Sequence, residues 1–385
     1  MKTRDKKRTV LAAAVLAALV GWCELVVDIE GVGAEKFTVS IDVGGDMSFA
    51  KSLRRNLELS GVFKVQPGGS ITVSGATGSA IRATGRGKSV GFASTAADER
   101  AARTEARLFA DKLIETYANQ KGFSNRPIAF VQKQDRASEL YTCYPDGYDR
   151  RRLTNDGKEA VGPRWKDANT LFYTGFLGAG PQIYEVDTRT GAKKRKWSFE
   201  GLTTGATVAP DGRRVAIILS IHGNPELYVI DMATSSWVRL TNTKNASEGQ
   251  PAWSPDGRQI VYVSDESRYP QLYVIDVATK EKRRLTTKGS QNVDPDWGPD
   301  GLVTYITKRG GLSQVAVIDP RQGEASARLV TAPGAWEHPS WACDGRHVVA
   351  ARDEALFVVD TLEKGDEPAR LFMNPGKWIT PSWSR

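Results

Sequence analysis

Histidine and cysteine are scarce in this sequence, with three of each among 385 residues. None of the histidines, His222, His338 and His347, stands at a spacing typical of a zinc site. Only Cys143 and Cys343 lie beyond the first 34 residues, and two cysteines do not form the disulfide framework of a small secreted domain. The sequence therefore predicts no metal and no cofactor, and it leaves open whether the two cysteines pair.

Long apolar runs are also rare. The run from Val10 to Val20 is too short to span a bilayer. It follows basic residues and precedes the small-residue site Val32 to Ala34, which is the pattern of an export signal. We therefore expect residues 1–34 to be a signal peptide. Cys23 leaves lipidation open as an alternative, although Trp22 before it does not fit the small residue expected there.

The excess of positive charge is mild. The formal net charge is +8 over the whole chain, and the basic residues are scattered except for the run Lys193 to Lys196. A scattered excess is typical of a solvated surface, so the sequence does not predict a nucleic-acid partner.

One sequence motif, PAWSPDGRQIVYVSD from Pro251 to Asp265, recurs along the chain. Its tryptophan recurs at steps of 42 to 45 residues, and a period of this size, made of short β-rich runs and Asp-Gly turns, is typical of propeller blades. Six such anchors and six copies of a third strand predict six blades. We expect the anchor tryptophans to pack as apolar wedges between neighbouring blades. The anchors are Trp165, Val208, Trp253, Trp297, Trp341 and Trp383.

The phase of the repeat predicts how the ring closes. The repeat region, residues 127–385, starts with a second strand, Ile128 to Val131, and ends with an anchor strand, Pro381 to Ser384. The C-terminal strand should therefore pair with the three N-terminal strands, which removes the free sheet edges.

Residues 35–125 read as a small α/β domain. A strand at Phe37 to Ile41 is followed by a helical pattern that starts at Ser48 and ends at Gly61, and a second helix follows Thr95. The stretch Gly75 to Gly91 between them contains G-K-S and G-x-S-x-G, but neither has the context of a phosphate loop or a nucleophile elbow. We expect a solvated hairpin there. The overall fold class is therefore mostly β, a six-bladed propeller with a small N-terminal α/β domain.

The loops that enter the anchor strands should all emerge at one mouth of the central channel. They carry polar and aromatic residues without regular spacing, which suits recognition of a protein or peptide. The loops are Gly201 to Ala206, Asn245 to Gln250, Gly289 to Asp294, Pro333 to His338 and Asn374 to Ile379.

These features resemble the TolB family of the Tol-Pal cell-envelope system. The resemblance rests on the motif Pro251 to Asp265 with its copies, on GSQNVDPDW from Gly289 to Trp297, and on DKLI from Asp111 to Ile114 continuing through KGFSNRPIAFV. LRRNLELSGVFKV, Leu53 to Val65, is also similar to the first helix and strand of that family. Together these stretches cover most of residues 49–385.

The resemblance implies a non-enzymatic periplasmic scaffold that supports outer-membrane integrity and envelope constriction at division. It implies that the propeller mouth receives the peptidoglycan-associated lipoprotein Pal, and that the segment after the signal, here Glu35 to Val43, engages TolA. The protein would be a monomer that reaches the membrane through its partners. The positions carried over as Pal contacts are Gly205, Glu248, Gly249, Gln291 and Asn292. His338 is added from its position alone.

Two other classes stay open. One is a secreted propeller enzyme, either a polysaccharide lyase or a peptidase-like protein. The few histidines argue against this class. It stays open because a propeller brings distant loops together, so a pair of catalytic carboxylates cannot be located by its spacing in the sequence. The other is a propeller that binds a different envelope protein or a glycan.

Overall fold

The structure, a computed structural model, describes residues 36–178, 180–363, 367–374 and 376–385. The predicted signal peptide and Cys23 lie outside the described residues. The described chain is mostly β-strand, in a six-bladed propeller with a smaller N-terminal α/β part, so the predicted fold class is confirmed.

The α/β part is a five-stranded sheet with two helices. Strand β1 lies inside the sheet, parallel to both β2 and β3, while β3, β4 and β5 are antiparallel in the order β2-β1-β3-β4-β5. The elements are β1 Phe37–Gly44, α1 Met47–Leu59, β2 Phe63–Val65, β3 Ile71–Ala76, β4 Ala80–Gly85, β5 Lys88–Ala93 and α2 Glu99–Leu113, followed by one π-helical turn, Ile114–Ala118.

Side-chain caps set where the two helices begin. Asp46 accepts a hydrogen bond from Ser48 N at 2.7 Å, so α1 begins one residue before the predicted Ser48. Asp98 caps α2 by accepting from Ala101 N at 2.7 Å. The glycine-rich stretch forms the β4–β5 hairpin, with φ of 51° at Arg86 and 73° at Gly87 in its turn. Such a turn joins two strands directly, which agrees with the predicted hairpin. The strand β5, and not a helix, follows the turn, so the context that a phosphate loop or a nucleophile elbow needs is not present at this position.

The rest of the chain forms six four-stranded antiparallel sheets. Blade 1 is β9–β12, blade 2 β13–β16, blade 3 β17–β20, blade 4 β21–β24, blade 5 β25–β28, and blade 6 combines β29 with β6–β8. The strands are β6 Ile128–Lys133, β7 Ser138–Cys143, β8 Arg151–Arg152, β9 Ala160–Asp167, β10 Thr170–Gly175, β11 Gln182–Asp187, β12 Lys193–Trp197, β13 Thr203–Val208, β14 Arg214–Leu219, β15 Glu226–Asp231, β16 Trp237–Arg239, β17 Glu248–Trp253, β18 Gln259–Ser264, β19 Gln271–Asp276, β20 Lys282–Arg284, β21 Gln291–Trp297, β22 Val303–Arg309, β23 Leu312–Ile318, β24 Arg328–Leu329, β25 Trp336–Trp341, β26 His347–Arg352, β27 Ala355–Asp360, β28 Ala369–Arg370 and β29 Trp378–Trp383.

The first strand of each blade is the innermost one. These inner strands, β9, β13, β17, β21, β25 and β29, contact one another in sequence around a closed circuit. They all run in the same direction, so their N-terminal ends gather at one end of the central channel, which we call the mouth.

The anchor tryptophans fill the junctions between blades. Trp253 packs in one buried cluster with Ile218 and Leu227 of blade 2 and with Ile260 of its own blade. Its indole N–H donates to Thr207 O of blade 2 at 3.0 Å. Because the ring contributes a large apolar surface and its N–H is satisfied, the predicted role as an interblade wedge is confirmed at this junction.

Blade 6 closes the ring. β29 pairs with β6 in antiparallel register, with Trp383 opposite Ile128 and Trp378 opposite Gln132. This is the pairing that the phase of the repeat predicts, and it gives the last inner strand a second strand to pair with, as in the other five blades. Cys143 and Cys343 are both buried and both free.

The α/β part packs against the end of the propeller opposite the mouth. Arg107 of α2 is completely buried and donates to Asp146 Oδ2 at 2.8 Å, and its Nη2 lies 2.7 Å from Asp149 Oδ2 in the turn that follows β7. The ring of Phe123 lies 4.5 Å from that of His347. That residues 35–125 and 127–385 fold as separate domains stays a prediction from the sequence.

We expect Trp383→Ala to weaken ring closure. Trp383 is 2% exposed, and its indole N–H donates to Arg126 O at 3.1 Å. Its removal should lower the free energy of unfolding by about 3–5 kcal/mol, measured by urea denaturation. Trp237→Ala is the matched control, because that ring is 41% exposed on an outer strand and its loss should cost under about 1 kcal/mol. Equal losses would contradict the proposed closure.

Candidate functional site

The structure gathers all six predicted contact positions on neighbouring inner strands. Gly205 lies on β13, Glu248 and Gly249 on β17, Gln291 and Asn292 on β21, and His338 on β25. These strands belong to blades 2 to 5, and all the residues lie in the mouth-facing halves of their strands.

A left-handed residue interrupts every inner strand three positions before its anchor. Each coincides with a shift of register against the second strand of the blade. A bulge of this kind re-aims the side chains that precede it, and a non-glycine residue pays a backbone strain to occupy it. The residues and their φ values are Gly162 58°, Gly205 69°, Gln250 52°, Asp294 54°, His338 48° and Thr380 45°.

Three of these left-handed residues are joined across blades 3, 4 and 5. Gln250 Oε1 accepts from Asp294 N at 2.9 Å, and Gln250 Nε2 donates to Asp294 Oδ1. His338 N donates to Asp294 Oδ2 at 3.0 Å, and His338 Nδ1 lies 3.1 Å from Asp294 Oδ1. Asp294 therefore connects the inner strands on either side of its own.

The charges of Asp294 and His338 stabilise each other. Burial alone would raise the pKa of Asp294, but the charge and hydrogen bonds of His338 outweigh it and the pKa is lowered. Burial alone would lower the pKa of His338, but the charge and hydrogen bond of Asp294 raise it, against a smaller opposing effect from Arg164 on β9. The pair is therefore an aspartate and an imidazolium over a wider pH range than the separate groups would be.

A cavity of about 220 Å³ opens beside this pair, between blades 4 and 5. Its wall combines apolar side chains with hydrogen-bonding and charged ones, which is the composition expected of a recognition pocket. His338 is half-buried, with 30% of its side chain exposed. The lining residues are Gln291, Val293, Asp294, Ile306, Lys308, Ser313, Trp336, Glu337 and His338.

Glu248 and Asn292 are buried, so their side chains do not face the mouth as predicted contacts would. Asn292 is 1% exposed and donates to Gln271 Oε1 and Lys288 O, both at 2.7 Å. Glu248 accepts from Ser264 Oγ at 3.1 Å. Both stand five positions before their anchors, ahead of the bulge, and point into the junction between blades. They can act on a partner only by holding the inner strands in place.

The other predicted positions stay open to the mouth. Gly205, Gly249 and Gln291 are all partly exposed. A Cβ on Gly249 would meet no atom within 4 Å, so no described residue covers this position. Gln250 and Asp294 lie at the ends of two predicted mouth loops, but their contact with each other was not predicted. Thr380 lies just outside the last predicted loop, and its only signal is the fixed spacing of three residues before the anchor.

The predicted TolA segment lies mostly in the first strand of the α/β part. Glu35 lies outside the described residues, and Phe37 to Val43 belong to β1, in which Phe37 to Val39 pair with β2 and Val39 to Gly44 pair with β3. Among the described residues, no helix is long and apolar enough to cross a membrane.

Comparison with known proteins gives a consistent pattern. A family model described as the TolB β-propeller domain matches residues 114–385. The Tol-Pal system protein TolB of Desulfosudis oleivorans is 30% identical over 138 residues, 36% of this chain and 31% of that protein. The Tol-Pal system protein TolB of Francisella tularensis subsp. tularensis is 24% identical over 240 residues, 60% of this chain and 55% of that protein. The matches thus span between about a third and a half of these relatives.

Solved structures agree on the fold. The crystal structure of TolB from Acinetobacter baumannii superposes with a TM-score of 0.80 at 22% identity, covering 91% of this chain and 97% of that one. The structure of putative TolB from Agrobacterium tumefaciens gives a TM-score of 0.51 at 19% identity, covering 64% of this chain and 88% of that one. Likeness at these identities concerns the architecture alone.

The Asp294–His338 pair makes stability depend on pH, and His338→Gln isolates the effect. Gln250 already occupies the equivalent left-handed position, so the backbone should accept glutamine. Because the pKa of His338 is raised on folding, its contribution is full below the unfolded pKa of about 6.5 and is lost as the pH rises through the folded value. We expect His338→Gln to lower the Tm at about pH 5.5 and to differ little from wild type at about pH 9.

Thermal melts of the two proteins at both pH values measure this. His222→Gln is the control, since His222 is exposed and its replacement should leave the Tm unchanged throughout. A loss in His338→Gln that is the same at both pH values would contradict the charge pairing.

Proposed function

The chain belongs to the TolB β-propeller family, and on that premise we propose that it is a non-enzymatic periplasmic component of a Tol-Pal system. Its propeller mouth binds the peptidoglycan-associated lipoprotein Pal. The protein acts as a monomeric scaffold, associates with the membrane through its partners, and supports outer-membrane integrity and envelope constriction at division. Its mechanism is exchange of partners, without a chemical step or a cofactor.

The observation that carries this proposal is the mouth itself. Gly205, Gly249, Gln291 and His338 lie on four adjacent inner strands around partly exposed surface, and the cavity between blades 4 and 5 opens beside two of them. Three of these strands, β17, β21 and β25, are fixed to one another through Asp294. A rigid, pre-formed surface binds a partner at a lower entropic cost than a flexible one.

The rim of the mouth supports recognition of a protein. The hairpins that join second and third strands reach the mouth end, and they expose Tyr269 at 65% and Leu312 at 52%. Lys308 and Glu337 add two charged side chains at the cavity. Exposed aromatic and apolar side chains around a polar centre are typical of protein interfaces.

The buried positions have an indirect part in this proposal. Glu248 and Asn292 hold the starts of β17 and β21, so their substitution would disturb the mouth without removing a contact.

TolA is proposed as the second partner, on the segment Glu35 to Val43.

We expect Gly249→Trp to obstruct the mouth while leaving the fold intact, since a Cβ at Gly249 meets open space. Isothermal titration calorimetry with the soluble domain of Pal should show at least about tenfold weaker binding, or about 1.4 kcal/mol. Gln291→Ala should weaken binding in the same direction by removing a hydrogen-bonding side chain from the cavity wall.

Gly91→Trp is the matched control. Gly91 lies in β5 of the α/β part and also meets no atom within 4 Å, so this variant should bind Pal as wild type does. If Gly249→Trp is folded and binds with unchanged affinity, the mouth is not the Pal site.

A further inference from the structure

The junction between blades 2 and 3 differs from the next junction in one respect. Glu226 begins the third strand of blade 2, and Glu248 begins the inner strand of blade 3; the equivalent residues one blade later are Gln271 and Asn292. The backbone is the same at both junctions, with Glu248 N donating to Pro225 O at 3.0 Å and Asn292 N donating to Pro270 O at 2.9 Å. One junction therefore holds two carboxyl groups where the other holds two amides.

The amide junction is satisfied internally. Asn292 Nδ2 donates to Gln271 Oε1 at 2.7 Å, and Gln271 Oε1 also accepts from Thr286 Oγ1 at 2.9 Å. A pair of amides supplies both donors and acceptors and carries no charge. It needs nothing further to stay buried.

In the carboxyl junction the donors are concentrated on one oxygen. Glu226 Oε1 accepts from Asn224 Nδ2 at 3.2 Å and from Thr243 N at 2.6 Å, whereas Glu226 Oε2 is buried with no hydrogen-bond partner among the described residues. Glu226 is 1% exposed and Glu248 is 4% exposed. Thr243 Oγ1 lies 3.1 Å from Glu226 Oε1 and 3.3 Å from Glu248 Oε2, and one hydroxyl proton can serve only one of them at a time.

The charges around the pair do not balance two carboxylates. Arg239 of β16 donates to Glu226 Oε1 at 2.9 Å and neutralises one of them. Lys282 of β20, the other cation that acts on Glu248, is paired with Glu266 at 2.5 Å. Tyr262 of β18 adds only a phenol hydroxyl, itself buried without a partner. An uncompensated carboxylate in a buried site is strongly disfavoured, so a proton is the simplest compensation.

We propose that Glu248, buried beside Glu226, holds a proton below neutral pH, and that loss of this proton weakens the start of β17 and so lowers the affinity of the mouth for its partner. The effect on the partner rests on the proposed function, whereas the proton site does not. Glu248 is followed directly by Gly249 and Gln250, so a displacement of the start of β17 reaches the mouth surface and the contact with Asp294.

The electrostatics agree with this site. Burial, and after it the charge of Glu226, raises the pKa of Glu248 to about 7. A carboxyl group with a raised folded pKa contributes stability that is complete below its unfolded pKa of about 4.3 and is lost as the pH rises through the folded value. The propeller should therefore lose stability up to and just beyond neutrality.

Glu248→Gln tests the proton site directly, because it replaces one of the two carboxyl groups with an amide, the group that both side chains carry at the next junction. Wild type should lose Tm between about pH 5 and pH 8, and Glu248→Gln should lose markedly less over the same range. The titration of His338 is common to both proteins and cancels in the comparison. Glu139→Gln is the control for removing a buried carboxylate. Glu139 is the equivalent of Glu226 in blade 6, and at that junction Ala160 stands in place of Glu248. The pH profile of Glu139→Gln should therefore follow that of wild type. Parallel profiles for wild type and Glu248→Gln would overturn the proposal.

A measurement on wild type alone covers the case in which Glu248→Gln fails to fold. Infrared difference spectra between pH 6 and pH 8.5 should show the loss of one protonated carboxyl group, about one per molecule. Absence of that signal would overturn the proton site whether or not any variant folds.

Pal binding is the third measurement and separates the two proposals. Wild type should bind Pal about fivefold or more weakly at pH 8.5 than at pH 6, while Glu248→Gln should keep only the smaller pH dependence that the titration of His338 contributes to both proteins. If the proton is found but Pal does not bind at either pH, the proposed function fails and the proton site stands. If Pal binds with the same pH dependence in both proteins, the control of the mouth by this proton is refuted.

Discussion

The arrangement of the mouth depends on one backbone feature, the left-handed residue that interrupts every inner strand three positions before its anchor. On the anchor side of this bulge, the tryptophans turn into the junctions between blades and hold the ring. The left-handed residues themselves, such as Asp294 and His338, connect neighbouring inner strands. The same bulge directs Glu248 and Asn292 away from the surface. Pairing of β29 with β6 makes the series of bulges continuous around the channel.

The fold could be predicted from the sequence because its signals are local and repeated. The recurring Trp and Pro-Asp-Gly turns gave the number of blades, and the phase of the repeat gave the closing pair. The site could be predicted only in part. Gly205, Gly249 and Gln291 face the mouth, whereas Glu248 and Asn292, which were carried over from the family resemblance, are buried, and a bulge that shifts the alternation of side chains cannot be read from the sequence. Gln250 and Asp294 lie in predicted mouth loops, but their contacts could not be predicted because each depends on a partner about 44 residues away, one blade along.

The functional positions of this protein are those at which the blades differ in sequence, whereas the positions that the blades share hold the ring together. The tryptophan wedges and turns recur and hold the ring. The amide junction at Gln271 and Asn292 and the carboxyl junction at Glu226 and Glu248 share a backbone but differ in charge, and only the second can exchange a proton near neutral pH. A recognition surface with no chemical step can still respond to its surroundings in this way, because a small change at the start of an inner strand lies next to the partner surface.

The central claim is that Pal binds at the propeller mouth. A crystal structure of this protein with the soluble domain of Pal tests it most directly. The proposal predicts Pal seated over the inner strands of blades 2 to 5, in contact with Gly249, Gln291 and His338. Pal bound to the α/β part, or to the outer strands of the blades with the mouth left open, would contradict it.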